Sequence, residues 1–369
     1  MSIKKLSAIT AAIVAASMNI STASATTIEL TYNDSDFSGT QGQQALAGFR
    51  QAADFWSSMF SDDVTINLDI GFAALDEGII GSTGSNRAVY LYNDIATAMA
   101  NDVTSAADAS AVNHLTCEDQ GVGVCAFSFL DQEADTGSPG LDNDGSPDNY
   151  VLALTQANAK ALGFSANSWG DTFLDSDASI TFSSAFAFDF DSSDGIDSDK
   201  MDFVGVAIHE IGHALGFTSG VDTYDIVYNH PDYINSPVDA DGYAIINSLD
   251  LFRYSEASLA VGEGVLDFTP GDDAYFSIDG GQTSLGRFST GPYGGDGQQA
   301  SHWKDHLGLG IMDPTFSFGE FGQVSGLDGI AFDVIGWDLA ANEVPEPGSI
   351  ALFALAGAGL LASRRKKQA

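Results

Sequence analysis

The chain has 369 residues, 44% of them hydrophobic and only 17% charged, which excludes an intrinsically disordered protein and leaves enough length for one large domain or two small ones. Asp and Glu number 51 against 13 Lys and Arg, a net charge of −38. So negative a surface repels nucleic acid and anionic lipid, which removes both as partners of the folded body, and it suits a secreted protein that collects divalent cations.

Residues 1–25 read MSIKKLSAITAAIVAASMNISTASA. Lys4 and Lys5 form a charged start, Leu6 to Met18 is mostly apolar, and Ala23-Ser24-Ala25 is a small-residue cleavage site. This predicts a secretory signal peptide processed by signal peptidase; the apolar run is short for a bilayer anchor. TTIELTY then alternates as a short strand. From Gln41 to Phe60, Leu46, Phe49, Ala53, Trp56 and Phe60 recur at helical spacing and predict a helix with one apolar face. VTINLDIGF, Val64 to Phe72, alternates strictly and predicts a half-buried strand. Strand, helix, strand opens an α/β or α+β domain. Asp94 to Leu115 reads as helical in parts.

Cys117 and Cys125 are the two cysteines. In an oxidising compartment a short-loop disulfide is the default, with two buried thiols as the alternative; the C-x-x-C spacing of a redox site is absent. Gly137 to Asn149 is a loop rich in Gly, Pro, Asp and Asn, Tyr150 to Thr155 a strand, and Ser179 to Phe190 another. Two acidic loops are candidates for Ca2+, which takes several oxygen ligands. One places Asp189, Asp191, Asp194, Asp197 and Asp199 around Gly195; the other carries Asp142, Asp144 and Asp148. Neither follows the EF-hand pattern, and solvated loops are an equal alternative.

Met201 to Gly216 predicts a helix apolar on most sides, hence buried, and it carries HEIGHALGF. His209 and His213, four apart, lie one turn above each other and are able to bind one Zn2+ at about 2.0–2.1 Å. Glu210 stands next to His209, where it reaches a zinc-activated water as general base. Gly216 ends the helix. Two structural histidines on a core helix are the alternative, but the extension through Gly216 and Phe217 makes the zinc pattern specific. The third ligand is open. Ser219 occupies the position where a compact zinc-protease motif has its third histidine. His114, His230, His302 and His306 remain, with Asp222 and Asp225 as acidic candidates. Tyr243 to Tyr254 and Asp273 to Ile278 predict short elements, and Gly280 to Gly297 predicts loops wrapped around a site.

HEIGHALGF, then a long insert, then SHW and GIMDP resemble the leishmanolysin-type branch of the metzincin zinc endopeptidases. The likeness is strong at residues 202–217 and 300–316 and weak elsewhere, and the cysteine richness of eukaryotic members is missing. SLDLFRYS and QQASHWKDH are similar to bacterial metalloproteases that carry a PEP-CTERM tail. The resemblance implies a metzincin-like α+β fold in a body spanning 26–343. A mixed sheet and early helix form an upper part, about 26–219, above a zinc-binding active-site helix. An irregular lower part, about 220–343, lies below it. The resemblance also implies His302 as third ligand, with His306 or an acid near Asp222 as alternatives. Met312 becomes a turn methionine beneath the metal, with an ordinary core methionine as the alternative. The implied activity is hydrolysis of protein or peptide substrates by a zinc endopeptidase with Glu210 as base. A matrix-binding or surface-binding protein with a structural zinc is the other reading.

Val344-Pro345-Glu346-Pro347-Gly348, an apolar stretch and Arg364-Arg365-Lys366-Lys367 follow in order. Residues 344–369 resemble the PEP-CTERM sorting tail of Gram-negative bacteria. This implies processing by an exosortase, only transient membrane contact, and delivery to the cell surface or extracellular matrix. A plain membrane anchor is the alternative.

Overall fold

The alternation of VTINLDIGF becomes strand Thr65–Ala73 in the computed structural model, which describes residues 25–76, 78–119, 124–132, 138–233, 240–271 and 273–340. The signal segment, apart from Ala25, and the C-terminal tail lie outside the described residues. Ile66, Leu68, Ile70 and Phe72 point inward and are buried, because successive side chains of a strand leave on opposite faces. Thr65–Ala73 pairs in parallel with Thr27–Tyr32 on one side and with Ala178–Ser183 on the other. Gly81–Ser85 joins Ala178–Ser183 antiparallel and forms the far edge of this four-stranded sheet.

Two parallel strands in sequence need a crossover, and helix Gly39–Met59 supplies it. Its Leu46, Phe49, Ala53 and Trp56 face is buried, as its spacing predicts. That face lies against helix Phe203–Leu215, which carries the HEIGH residues. Phe49 meets Phe203 edge-on at 5.3 Å, and Trp56 Nε1 donates to the Ile208 carbonyl at 2.9 Å. The C-terminal helix Gly326–Val334 closes over the same pair. Phe332 packs on Trp56 at 4.7 Å, and Trp337 Nε1 donates to the Leu215 carbonyl at 2.9 Å. One hydrophobic core therefore runs through both halves of the body, since Trp56 and Phe203 share it with Trp303, Phe332 and Trp337. The architecture is α+β, with several small two- and three-stranded sheets beside the mixed four-stranded one.

Several elements differ from their sequence reading. Ser179 to Phe190 is not one strand. It breaks at the Ser183–Ala187 turn into Ala178–Ser183 and the two-residue Phe188–Asp189, which pairs with Met201–Asp202. The motif helix starts at Phe203 rather than Met201, because Asp202 caps it by accepting from Gly205 N at 3.0 Å. Asp94 to Leu115 resolves into helices Tyr92–Asn101 and Ala106–Asn113. Strands Gly81–Ser85 and Arg87–Leu91 have no counterpart in the sequence reading. The first is mostly glycine and serine, so its pairing with Ala178–Ser183, not its propensity, makes it a strand.

Asp62, Asp102, Asp108, Asp333 and Asp338 meet where the end of the long helix, the helix pair and the C-terminal helix come together. Burial, then the charge of Asp338, pushes the Asp62 carboxyl up to about 7. Burial and the neighbouring aspartates push Asp102 to about 7. The folded state thus holds protons that an unfolded aspartate, with its pKa near 3.9, releases; stability is lost as pH rises from about 4 to 7. Asp62→Asn keeps an acceptor for the Asp338 backbone N–H, now 3.1 Å from Asp62 Oδ2, and removes the charge. It is expected to raise the melting temperature by about 2–4 °C at pH 8 and to change it little at pH 4.5. Melting curves at the two pH values check this, and an equal shift at both would show that charge is not the cause.

Candidate metal centre

Helix Phe203–Leu215 sets the first two corners. His209 and His213 lie one turn apart, with their Nε2 atoms 3.1 Å from each other. His302 comes from 89 residues beyond His213 in the chain, its Nε2 3.1 Å from that of His213 and 3.3 Å from that of His209. Each ring is oriented by a backbone carbonyl at its other nitrogen. Nδ1 of His209 is 2.8 Å from the Ile311 carbonyl, Nδ1 of His213 is 2.7 Å from that of Phe217, and Nδ1 of His302 is 3.2 Å from that of Gln299. A carbonyl only accepts, so Nδ1 holds the hydrogen and Nε2 turns a lone pair inward.

Burial keeps these rings neutral. It pushes His209 down to about 4. Burial, reinforced by His209 and opposed by Glu210, pushes His213 to about 4. His302 falls well below the usual imidazole range through burial and its two imidazole neighbours. Three lone pairs facing one point with no donor among them repel unless a cation lies between them. Nitrogens at 2.0–2.1 Å from a tetrahedral ion stand about 3.3–3.4 Å apart, which matches the observed triangle within a few tenths of an ångström. The donor set therefore fits Zn2+.

The other corners of the site are built by contacts remote in sequence. Gly216, at φ 123°, lets the chain reverse after the helix, which brings the Phe217 carbonyl onto His213. Met312 is fully buried against the helix. A Cβ at Gly212 would stand 2.6 Å from its Sδ, so glycine is needed there. Buried Asp328 holds the turn that carries Met312: its carboxylate accepts from Ile311 N at 2.9 Å and from Trp303 Nε1 at 2.8 Å. Asp222 is a positioning residue. Its carboxylate accepts from Ala300 N at 2.6 Å, from Ser301 N at 3.2 Å and from the Ser301 hydroxyl, which fixes the approach to His302. Asp225 accepts from Tyr293 N and Gly294 N at 2.8 and 2.7 Å and so shapes the glycine-rich loop. The Ser219 hydroxyl donates to buried Asp250 at 2.6 Å. Sequence reasoning missed the roles of Thr83, Asp250 and Asp328; of these only Asp328 has a local signal, the Ser325–Asp328 capping box, and that pattern does not predict its contacts with Ile311 and Trp303.

Glu210 stands beside the histidines with its carboxylate against the edge strand. The Thr83 hydroxyl is 2.6 Å from Oε2, and a Cβ at Gly81 would come within 3.0 Å of Oε1. A cavity of about 560 Å³ lies between this strand and the helix, lined among others by Ser82, Glu210, His213, Gln299 and Phe316.

The remaining candidates lie elsewhere. The His306 side chain is exposed beside Asp305, at φ 63°, and does not join the triangle. His114 is turned to the Ser110 carbonyl, and His230 packs on Tyr293. Asp189 spends its oxygens on Asp191 N and Asp197 N, Asp191 accepts from Ser193 N, and Asp197 pairs with Lys200. Asp191, Asp194, Asp197 and Asp199 are exposed and do not converge. Asp142 and Asp148 do approach each other, together with Asp241, with one oxygen of each within 4.8 Å of the others; Asp144 instead accepts from Ser146 N. Cys117 and Cys125 form a disulfide across the small hairpin of Glu118–Asp119 and Cys125–Ala126.

Among the described residues no helix is long and apolar enough to cross a membrane. No curated protein and no solved structure matches the chain. Residues 343–366, outside the described residues, match the PEP-CTERM protein-sorting motif. The motif marks an exported protein of a Gram-negative bacterium, directed to the cell surface and processed by an exosortase.

Proposed function

We propose that the chain is a zinc-dependent endopeptidase of metzincin-like architecture, acting outside the cytoplasm on protein or peptide substrates. The observation that carries this reading is the triangle of three neutral Nε2 atoms with Glu210 beside it at the floor of an open cleft. Among the described residues no carboxylate or cysteine joins the triangle as a fourth ligand, whereas a structural zinc has all four positions filled by protein. A zinc ion held there supplies Lewis acidity for water activation and for charge developing on a carbonyl oxygen.

The protein's own groups supply the rest. Glu210 takes the proton of the attacking water and returns it to the leaving amine, its carboxylate aimed by the Thr83 hydroxyl. Among the described residues, strand Gly81–Ser85 pairs along one side only, which leaves its other edge for an extended peptide to add as a further strand. Its small side chains allow that peptide to lie close to Glu210 and His213.

Removal of the metal tests the reading. Digestion of an unfolded protein substrate is expected to fall at least about 100-fold after dialysis against a chelator and to return with one equivalent of zinc per chain. Cleavage that persists with metal-free protein would overturn it.

A further inference from the structure

A second cavity, of about 400 Å³, opens beside the metal cleft. Ala153, Val227, Ala240, Ala244, Ile245 and the ring of Tyr243 give it a largely apolar wall. The two cavities share Arg87, Ser219 and Thr223, so the second opens off the first. Arg87 is the one arginine or lysine on either wall among the described residues.

The guanidinium is held in place. Its Nη1 donates to the Ala153 carbonyl at 3.1 Å and to Asn247 Oδ1. Asn247 is itself fixed by the Thr218 hydroxyl at 3.0 Å and through its backbone N–H to Asp250 at 2.9 Å. Asp250 and Asp222 act on Arg87 only at longer range, and among the described residues no carboxylate lies within ion-pair distance of it. An arginine offers five N–H groups in a rigid fork, and the two on Nη1 are committed here; among the described residues those on Nε and Nη2 meet no acceptor and remain to receive a carboxylate. In a chain of net charge −38, a fixed cation at the mouth of an apolar pocket is the local exception to a field that repels acids.

We propose that this side pocket reads one substrate residue next to the cleaved bond, that the residue is glutamate, and that Arg87 is the specificity-determining residue. The apolar wall takes the two methylenes and the guanidinium takes the carboxylate. Aspartate is too short to fill the wall, and glutamine offers the shape without the charge. This inference rests on the endopeptidase reading above.

The zinc-loaded full chain is tested on peptides identical except for Glu, Gln or Lys at each residue flanking the cleaved bond. At one flanking position, kcat/KM for the Glu peptide is expected to exceed that for its Gln twin by roughly tenfold or more. Arg87→Gln brings the ratio near one, and Arg87→Glu makes the Lys peptide the better substrate. Each ratio compares two substrates on one protein, so a loss of folded material cancels. Cleavage by the wild type with a Glu/Gln ratio near one at both positions, or a ratio unchanged in Arg87→Gln, overturns the pocket assignment alone. Absence of cleavage of every peptide and of unfolded protein by zinc-loaded wild type overturns the endopeptidase reading and this inference with it.

Discussion

Glu210→Gln is expected to lower kcat by about 10²–10⁴-fold while each chain still binds one zinc. Glutamine matches glutamate in size and keeps an oxygen for the Thr83 hydroxyl, now 2.6 Å from Glu210 Oε2, so the cleft keeps its shape. It has no basic oxygen to accept a proton at neutral pH. The three imidazoles and their carbonyl partners do not involve the Glu210 side chain, which is why metal binding survives. Paired measurements of zinc content and peptide turnover separate the two properties. A zinc-replete variant within tenfold of wild-type kcat would remove Glu210 from the role of base. Thr83→Val, which keeps the carboxylate but loses its orienting hydroxyl, is expected to give a smaller loss, on the order of tenfold.

His302→Ala is expected to weaken zinc binding by more than about 100-fold, since loss even of a residue that only supports a ligand costs 10–100-fold. His302 is one of three Nε2 atoms that define the site, and two histidines on one helix leave half the tetrahedron to water. The same truncation at His306 is expected to leave affinity within about twofold, because that side chain is exposed beside Asp305 and reaches no member of the triangle. Competition with a zinc-chelating dye measures both. Equal losses at the two positions would show that the segment matters as a fold element and that His302 has no particular part in the site. Asp222→Asn is expected to fall between them, as it loosens the backbone at Ala300 and Ser301 without removing a ligand.

Features with short-range physical causes were readable in the chain itself. The period of 3.6 residues places Leu46, Phe49, Ala53 and Trp56 on one face, and the period of two places Ile66, Leu68, Ile70 and Phe72 on another. The i, i+4 spacing of His209 and His213 fixes their common direction, and Gly216 follows as the helix stop. The Pro-Glu-Pro, apolar and basic order of the tail is read without any fold, because its reader acts on sequence.

What stands opposite the helix was decided only by the tertiary structure. Composition and spacing leave His302 and His306 as equal candidates, and only the resemblance of SHW and GIMDP singles out His302; the physical difference is that Asp222 and Asp328 tie down the backbone on either side of His302, while His306 is carried outward on a left-handed residue. Gly81–Ser85 looks like a flexible linker, yet Ala178–Ser183 recruits it as the edge strand that brings Thr83 to Glu210. Arg87 carries no motif, and its place between two cavities comes from strand Arg87–Leu91 pairing with Val151–Thr155 and from the fold of residues 240–247 against them. The physical reason is common to all three. Periodicity and spacing act through neighbours along one element, whereas closing an 89-residue separation between His213 and His302 costs little more entropy than closing a short one, so the choice of which distant residue returns falls to buried hydrogen bonds and packing that no local pattern encodes.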